Sequence, residues 1–474
     1  MAEDIKVEEK TNPFSAAPNA KKLMTLIGVF LAVFGSLIQS TSQSTLLPIA
    51  AAELGGLDYY SLASTMGGVV GILAMPLWGY IGARAPHLKR YLFSGSIFIG
   101  AVGLFLRAIT PNMGLLIVSA LMWGFVSAGI FVIGYSIIRD MYDAKKAGTY
   151  LGFCGSIMMF GSLVGPVLCG FIMDVAGWRI VCHIIWVIMV IGGAIALLGV
   201  KATKEQAKEM ASGGGSFDAS GAIATVVFLG CFVVALSTGT TYLPFGSVAS
   251  WVVFGIAAVG LVFMVIIIRK KGAQAIIPAP AFKDRNTMCF TISNFCFNIS
   301  TMAIFFFMPL YILNVMGLSA TQAGGATTAM SIIGLFLSPV LGRMIGKAGN
   351  ARGVLIVCTI VRILCAAALL LLLTPTTSIW VVYIILFIAG IYNCSVSPIF
   401  GAGPQIQLPA QIRVQGNSLI QMAQNLGSSI GIAIYTAVIG IFGMVGGFSV
   451  ALIISIVTAV IGLIAGAMLK KLED

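Results

Sequence analysis

Trp78-Gly79-Tyr80-Ile81-Gly82-Ala83-Arg84 closes a long apolar run in the first half of the chain, and its glycines and arginine form a compact basic turn. A similar turn, Leu341-Gly342-Arg343-Met344-Ile345-Gly346-Lys347, closes an apolar run in the second half. Each turn joins the second and third apolar runs of a set of six. The chain therefore carries an internal repeat, which predicts two related halves.

The composition places the whole chain in a lipid environment. Of its 474 residues, 59% are apolar and only 9% are charged, whereas a soluble domain carries about 25% charged residues. A transmembrane helix needs about 20 consecutive apolar residues, and the chain has room for many such segments. We therefore expect an all-α polytopic membrane protein surrounded by the lipid bilayer, and we exclude a soluble enzyme, a disordered scaffold and a secreted disulfide-rich module.

Apolar runs bounded by charged residues, glycine or proline predict fourteen transmembrane helices. Their approximate limits are 23–47, 60–82, 91–109, 113–138, 147–173, 178–200, 220–242, 249–268, 287–315, 320–345, 353–374, 378–400, 414–442 and 446–469. Polar linkers divide these helices into larger segments. We expect a cytoplasmic tail at 1–22, a six-helix half at 23–200, a cytoplasmic linker at 201–219, an inserted two-helix hairpin at 220–268, a second cytoplasmic linker at 269–286, a second six-helix half at 287–469 and a cytoplasmic tail at 470–474.

The positive charge follows the membrane topology. The chain has 27 Lys and Arg against 15 Asp and Glu, a net charge of +12. With the N-terminus inside, all of these cations except Arg107, Arg179 and Arg362 fall on the cytoplasmic side of the predicted helices. This asymmetry is the positive-inside rule, so we expect both termini in the cytoplasm and no nucleic-acid partner. Because the outer loops are short, we expect a multi-pass protein of a bacterial plasma (inner) membrane.

Cysteines and histidines are placed as packing residues and not as reactive groups. All nine cysteines lie in apolar runs without CxxC or Cys/His spacing, so we expect buried thiols and no metal site. The two histidines, His87 and His183, lie on different loops and offer no catalytic cluster. We therefore predict that the protein is not an enzyme and has no cofactor.

Several further motifs occur in a fixed order along the predicted helices. The fifth helix carries Gly161-Ser162-Leu163-Val164-Gly165-Pro166-Val167-Leu168-Cys169-Gly170, the ninth begins near Pro280-Ala281-Phe282-Lys283-Asp284-Arg285, and a glycine-rich run occupies 424–433. Together with the two basic turns, these motifs resemble the major facilitator superfamily, specifically its fourteen-span branch of drug–proton antiporters. The resemblance covers nearly the whole chain. It implies a major facilitator fold, in which two six-helix halves flank the inserted hairpin, and a monomer that moves an amphipathic small organic solute by alternating access.

The chain lacks several charges that this branch usually carries. An acid is usual at the position of Gln39 in the first helix, and Ala83, Ala120 and Gln424 also stand where the branch has a charged residue. In addition, none of the fifteen acidic residues lies in the middle of a predicted helix. Cation binding and proton relay at the midplane normally use an intramembrane carboxylate. Carboxylate-driven efflux of cationic drugs is therefore disfavoured.

Polar and aromatic faces within the helices are the predicted substrate contacts. Carboxamides recur at i, i+4 spacing, which places them on one helix face, and a carboxamide that faces lipid is costly. The predicted contacts are Gln39, Gln43, Trp123, Tyr135, Asn294, Asn298, Tyr392, Asn393, Gln421, Asn425 and Arg362. Each carboxamide is explained equally well by a hydrogen bond between helices. Arg362 is a charge in mid-helix, which favours either an anion bound to it or a side chain that reaches the membrane surface.

Glycines and basic turns are the predicted conformational elements. Small residues let helix backbones approach closely, and a proline permits a kink. The residues concerned are Gly79, Arg84, Gly161, Gly165, Pro166, Gly170, Gly342 and Arg343. The alternative is a packing seam without a conformational role.

Two classes of function stay open at this level. The first is a secondary transporter, and it has two versions. The resemblance implies a proton-driven exporter of drugs or metabolites. The missing carboxylates suggest an organic-anion carrier or a facilitator with weak or no proton coupling. The second is a sensor or scaffold that does not transport. We would expect it to carry an added soluble domain, which the sequence does not show.

Overall fold

The computed structural model describes residues 14–55, 60–203, 218–238, 247–277, 279–305, 307–318 and 320–471. Within these ranges the chain forms seventeen α-helices and no strand. Thirteen helical segments of the described part are long and apolar enough to cross a membrane, and Ala219–Phe232 is a shorter apolar helix. The predicted all-α membrane class is confirmed.

The first group of helices contains α1 to α7. Their bounds are α1 Asn19–Glu53, α2 Tyr60–Arg84, α3 Lys89–Ala108, α4 Met113–Ser127, α5 Tyr135–Met141, α6 Ala144–Ala176 and α7 Trp178–Leu198. The Asn112 side chain caps α4 by accepting a hydrogen bond from the backbone N–H of Leu115 (3.0 Å). A π-helical segment, Ala128–Gly134, joins α4 to α5, so these two helices form one membrane span.

Two further helices, α8 Ala219–Thr238 and α9 Val248–Lys271, form a hairpin. The second group then contains α10 Ala279–Lys283, α11 Arg285–Phe305, α12 Phe307–Asn314, α13 Ala320–Ala348, α14 Arg352–Leu372, α15 Ile379–Cys394, α16 Gly403–Gln407 and α17 Arg413–Ala467. Gly443 breaks α17 with a φ of 72°, a conformation that favours glycine, so α17 supplies two spans. A π-helical segment, Ser397–Ala402, follows α15. It lies in the fourth span of its group, as Ala128–Gly134 does in the first, and so reflects the internal repeat.

Hydrogen bonds between helix ends fix which ends of the bundle lie together. Lys21 at the start of α1 donates to the carbonyl of Leu198 at the end of α7 (2.9 Å), and Gln407 after α15 donates to that of Lys470 (2.8 Å). We call this the basic end. At the opposite, far end, Trp178 at the start of α7 donates to the carboxylate of Glu53 at the end of α1 (2.6 Å).

Most helices pack within their own group, and a few also contact the other group. In the first group α7 packs against α1 and α3, and α4 packs against α2 and α3. In the second group α17 packs against α11 and α14, and α13 packs against α15. The two groups meet where α6 packs against α13 and where α2 packs against α17. These two helix pairs make the most extensive contacts between the groups, and the π-helical segments Ala128–Gly134 and Ser397–Ala402 add smaller ones.

The hairpin lies against both groups. Its helix α8 packs on α2 and, less extensively, on α17. One apolar cluster joins them, made of Val69, Ile72, Tyr80, Leu229, Ile276, Ile277, Leu419 and Met422. The division of the chain into seven segments, from the tail at 1–22 to the tail at 470–474, stays a prediction, and most of the first linker lies outside the described residues.

Candidate functional site

A polar cavity of about 190 Å³ lies between the first group of helices and α17. Its lining residues are Ser40, Gln43, Gly67, Gly68, Arg107, Ala120, Trp123, Gly124, Ser127 and Asn425. Three of the predicted substrate contacts, Gln43, Trp123 and Asn425, are thus brought together. Ser40 and Gly68 are exposed, so the cavity communicates with the surface of the molecule.

Glycine contacts between α2 and α4 shape one wall of this cavity. A Cβ at Gly124 would lie 2.5 Å from the carbonyl oxygen of Gly67 and 2.9 Å from the amide nitrogen of Gly71. Backbone atoms cannot move aside as a flexible side chain does, so only glycine fits this crossing. The close approach turns the side chains of Trp123 and Ser127 on α4 towards the same space as Gln43 on α1.

Arg107 on α3 is the charged group of the cavity wall. Its side chain is only 1% exposed. The Nε atom donates to the hydroxyl of Ser119 on α4 (3.0 Å), and the Nη1 atom is buried without a hydrogen-bond partner among the described residues. Sequence reasoning did not select Arg107. The available signal was that this arginine precedes the predicted helix end at 109 and is one of three cations off the cytoplasmic side.

The carboxamides near the cavity differ in how they are bonded. Asn425 donates to the carbonyl of Gln421 (3.1 Å) and contacts the sulfur of Met75 (3.6 Å), so its amide is partly occupied. Gln39 lies one helical turn before Gln43 on α1 and is fully buried. Neither polar atom of the Gln39 amide has a hydrogen-bond partner among the residues that the structure describes.

The other carboxamides form hydrogen bonds within the second group of helices. Asn294 donates to the carbonyl of Ile420 (2.9 Å), and Asn298 donates to the side-chain oxygen of Asn294 (2.9 Å). Gln421 donates to the carbonyl of Phe400 (2.9 Å). The bonds of Asn294 and Gln421 join neighbouring segments, whereas the bond of Asn298 lies within α11. A role of the same side chains in ligand binding stays a prediction.

Arg362 lies inside the second group and does not line the cavity. Its side chain is fully buried and donates to the hydroxyls of Ser300 (3.2 Å) and Ser455 (3.2 Å). The guanidinium lies 5.0 Å from the centre of the Tyr392 ring, which stacks on Phe297 at 3.7 Å. Asn393, the neighbour of Tyr392, is half-buried. Full burial means that the Arg362 side chain does not reach the membrane surface.

Close contacts between α6 and α13 join the two groups near the basic end. A Cβ at Gly342 would lie 2.3 Å from the carbonyl oxygen of Gly148, and one at Gly346 would lie 2.7 Å from that of Ala144. A Cβ at Gly152 would lie 2.8 Å from the Cα of Pro339. We call this contact the α6–α13 seam.

Further contacts close the basic end on either side of the seam. Tyr135 and Ser397 form a hydrogen bond between their hydroxyls (3.2 Å). Arg139 donates to the carbonyl of Gln405 (3.1 Å), and a Cβ at Gly79 on α2 would lie 2.5 Å from the Ser418 hydroxyl on α17. Tyr135 and Gly79 therefore lie at the interface between the groups.

The remaining predicted conformational residues have different surroundings. A Cβ at Gly161 would lie 2.8 Å from the Cβ of Leu37, and one at Gly165 would lie 2.4 Å from the Thr41 hydroxyl, so both glycines pack α6 against α1. A Cβ at Gly170 would have nothing within 4 Å. Arg84 donates to the carbonyl of Gln274 (3.1 Å), and Arg343 is exposed. The side chain of Pro166 lies outside the described residues.

Comparison with known proteins identifies the architecture. The family model described as Major Facilitator Superfamily matches residues 29–432 and, in a second match, 290–473. The chain belongs to the major facilitator superfamily. It is therefore a secondary transporter, which confirms the family inferred from the motifs and is consistent with the fourteen-span branch. Family and fold point to a transporter and not to an enzyme.

Curated relatives resemble this transporter over most of its length. Multidrug resistance protein 3 of Bacillus subtilis is 25% identical over 434 residues, which cover 90% of this chain and 81% of that protein. Multidrug export protein EmrB of Escherichia coli is 26% identical over 337 residues, 70% of this chain and 64% of that protein. The relatives thus include multidrug transporters from bacteria.

Solved structures share the fold of this transporter at low sequence identity. The proton:xylose symporter XylE aligns with a TM-score of 0.64 at 14% identity and covers 94% of both chains. The human organic anion transporter MFSD10 aligns with a TM-score of 0.62 at 12% identity, covering 94% of this chain and 100% of that chain. These likenesses concern the fold alone.

Proposed function

We propose that this transporter exports amphipathic organic solutes, drugs or metabolites, from the cytoplasm by alternating access. The observation that carries the proposal is a polar cavity lined from both groups, by Gln43 and Trp123 on one side and Asn425 on the other. A site between repeated halves lets each half move against the other around a bound ligand. The multidrug relatives from bacteria support export as the direction.

The charges of the basic end support its placement in the cytoplasm. Lys21, Arg84, Arg90, Arg139 and Lys470 lie at that end of the bundle, and such an excess of cations marks the cytoplasmic side. The termini would then lie in the cytoplasm of a bacterial cell, and the cavity would lie on the outward side of the closed α6–α13 seam. In this state the transporter would be ready to release a solute to the outside.

The lining of the cavity favours an amphipathic ligand. Trp123 offers a flat apolar face, and Gln43, Ser40, Ser127 and Asn425 offer hydrogen-bonding groups beside it. Ligand sites for drug-sized molecules span about 300–1,000 Å³, whereas this cavity measures about 190 Å³. It would therefore hold one end of a ligand, and the remainder would extend past the exposed residues Ser40 and Gly68.

The same lining argues against a proton relay at this place. Among the residues that the structure describes, none in the cavity wall is acidic, and a relay normally uses an intramembrane carboxylate. We therefore favour transport in which the bound solute does not exchange with a proton at this cavity. An organic-anion carrier or facilitator with weak or no proton coupling is the form of transport that agrees best with this lining.

Transport in proteoliposomes tests the proposal. With fluorescent amphipathic solutes, Gln43→Ala and Asn425→Ala should each raise the KM about three- to tenfold, because each removes a hydrogen-bonding group worth about 0.5–1.5 kcal/mol. The control is Asn314→Ala, which removes an exposed carboxamide at the end of α12. Thermal unfolding of all three variants verifies that they are folded.

Two results would contradict the proposal. If both cavity variants transport like Asn314→Ala, the solute does not bind in this cavity. If the purified protein binds the solutes but moves none of them across the membrane, the protein is a sensor or scaffold.

A further inference from the structure

A buried cation in the cavity wall lacks a full set of partners. Arg107 is 1% exposed, and its side chain makes one hydrogen bond within the described part of the chain, from Nε to the Ser119 hydroxyl (3.0 Å). Its Nη1 is buried and has no hydrogen-bond partner among the described residues. An unpaired buried charge is among the most costly arrangements in a protein, and more so inside a membrane. The guanidinium is therefore poised for a partner that the rest of the wall does not supply.

The described groups around Arg107 are neutral. Ser40, Gln43, Ser127 and Asn425 complete the polar wall, and none of them carries a negative charge. Arg107 takes no part in the ion pairs Lys89–Asp140, Arg179–Glu53 and Lys271–Asp218 of the described chain. A guanidinium presents a planar fork of donors that matches a carboxylate or a sulfonate.

Arg362 shows what a structural arginine looks like in the same protein. Two serine hydroxyls and the backbone carbonyl of Ser300 accept its hydrogen bonds, and the face of Tyr392 covers its guanidinium. It lies outside the cavity wall. The Nη1 atom of Arg362, like that of Arg107, is buried without a hydrogen-bond partner among the described residues. Arg107 differs because its side chain makes one hydrogen bond where that of Arg362 makes three, and because it lines the cavity.

We infer that Arg107 binds the anionic end of the transported solute, so that the transporter selects amphipathic organic anions. This inference rests on the proposed function. A carboxylate or sulfonate pairs with Arg107, an attached aromatic ring lies against Trp123, and the carboxamides of Gln43 and Asn425 complete the hydrogen bonds. The cavity of about 190 Å³ suits such a head group with one ring system.

Binding of three matched probes to the purified transporter tests the inference. The probes are naphthoate, naphthamide and naphthyl-trimethylammonium, which share one ring system and differ in charge. The wild type should bind naphthoate at least about tenfold more tightly than naphthamide, as expected for a hydrogen bond to a charged group. The cation should bind more weakly than either.

Variants of the cavity wall test whether Arg107 causes the preference for naphthoate over naphthamide. Arg107→Gln should bind naphthoate and naphthamide equally, whereas Arg107→Lys should retain part of the preference because it keeps the charge without the fork. Gln43→Glu leaves Arg107 in place but adds a carboxylate to the same cavity, and it should reverse the preference towards the cation. The exposed Arg352→Gln serves as the matched control and should bind like the wild type.

The outcomes separate the inference from the proposed function. Equal binding of naphthoate and naphthamide to the wild type, or a preference that persists in Arg107→Gln, overturns the inference. Where Arg107→Gln does not fold, unchanged naphthoate binding by Gln43→Glu overturns it instead. If naphthamide binding is weakened by Asn425→Ala in either of these cases, the cavity is still the solute site, and only the choice of anions is wrong. If none of the probes responds to Asn425→Ala, the proposed site itself fails.

Discussion

Asp218 shows how one carboxylate can fasten an inserted segment. Its Oδ1 accepts hydrogen bonds from Lys271 (2.7 Å) and from the backbone N–H of Gly221 (2.8 Å), and its Oδ2 accepts one from that of Ile276 (3.0 Å). Its own N–H donates to the Tyr80 hydroxyl on α2 (3.2 Å). Asp218 precedes α8, Lys271 is the last residue of α9, and Ile276 follows α9. Asp218 therefore joins both ends of the hairpin to each other and to the first group.

The pH dependence of stability should report on Asp218. Burial acts to raise the pKa of this carboxyl, but the hydrogen bonds from Lys271, Gly221 and Ile276 outweigh it and hold the pKa below its ordinary value. A depressed pKa stabilises the fold above the unfolded-state value of about 3.9, and the contribution is lost as the pH falls through the folded-state pKa. Asp218→Asn should therefore be less stable than the wild type by about 1–3 kcal/mol at neutral pH, and the difference should shrink below about pH 3.9.

Thermal unfolding across the acidic range checks this prediction. Asp143→Asn, which changes an exposed carboxylate before α6, should show a much smaller difference from the wild type at neutral pH. A difference between Asp218→Asn and the wild type that stays constant down to the most acidic pH would mean that the charge of Asp218 does not stabilise the hairpin.

At the scale of single residues, the sequence predicted which side-chain types line the cavity better than it predicted which side chains are buried. Gln43 and Asn425 were selected because of their type and helical spacing, and Trp123 because it is aromatic; the structure brings them to one cavity. Arg107 was named only as one of three cations off the cytoplasmic side, and its burial beside Ser119 becomes visible only in the packed structure. Burial depends on neighbouring helices, which spacing within one helix does not specify.

At the scale of elements, paired glycines determine where the two groups touch. Gly148 and Gly152 on α6 face Gly342 and Gly346 on α13, and each pair is separated by four residues, the spacing that brings small side chains to one face. The sequence analysis selected only Gly342 of these four. The same spacing pointed to the other three, but a contact between groups requires two matching faces, and one helix alone cannot show its partner.

A methyl group added at the α6–α13 seam should push the two groups of helices apart at the basic end. Gly342→Ala places a Cβ 2.3 Å from the backbone oxygen of Gly148, so the two helices must separate, at a cost of about 1–3 kcal/mol for overpacking. Spin labels at the exposed positions Lys146 and Arg352, one in each group at the basic end, should then report a longer distance than in the wild type.

Gly170→Ala is the matched control, because a Cβ there meets nothing within 4 Å although the residue lies on the same helix α6. It should leave both the label distance and the unfolding temperature close to those of the wild type. If Gly342→Ala also leaves the distance unchanged, the α6–α13 seam does not hold the basic end closed.

The positions of the helices were predicted more accurately than their internal irregularities. Long apolar runs bounded by Gly, Pro or charge correspond to the helices of the structure, because length and hydropathy alone decide a membrane span. The two π-helical segments, Ala128–Gly134 and Ser397–Ala402, had no signal in the apolar pattern. They arise where one extra residue per turn is accommodated by packing, which hydropathy does not record.

At the scale of the whole molecule, the contacts define a state that is closed at one end. The α6–α13 seam, the Tyr135–Ser397 hydrogen bond and the contact of Gly79 with Ser418 all join the two groups towards the basic end. The cavity beside Gln43 lies farther along α1 towards the far end. Alternating access requires a second state in which these contacts separate while the far end closes.

A reversible cross-link across the groups should stop that exchange. A Cβ built at Gly155 on α6 lies 3.2 Å from the Cβ of Ser338 on α13, just below the range of about 3.5–4.5 Å for a disulfide, so a shift of a few tenths of an ångström between the helices brings the pair into range. The double variant Gly155→Cys and Ser338→Cys should therefore form a disulfide on oxidation. Because the closed basic end can then no longer open, oxidation should abolish transport, and reduction should restore it. Ligand binding should survive oxidation, since the cavity lies outside the cross-linked contact.

The two single-cysteine variants, treated in the same way, show whether oxidation itself damages transport. Full transport by a protein whose cross-link has been verified would mean that the two groups do not move apart at this contact.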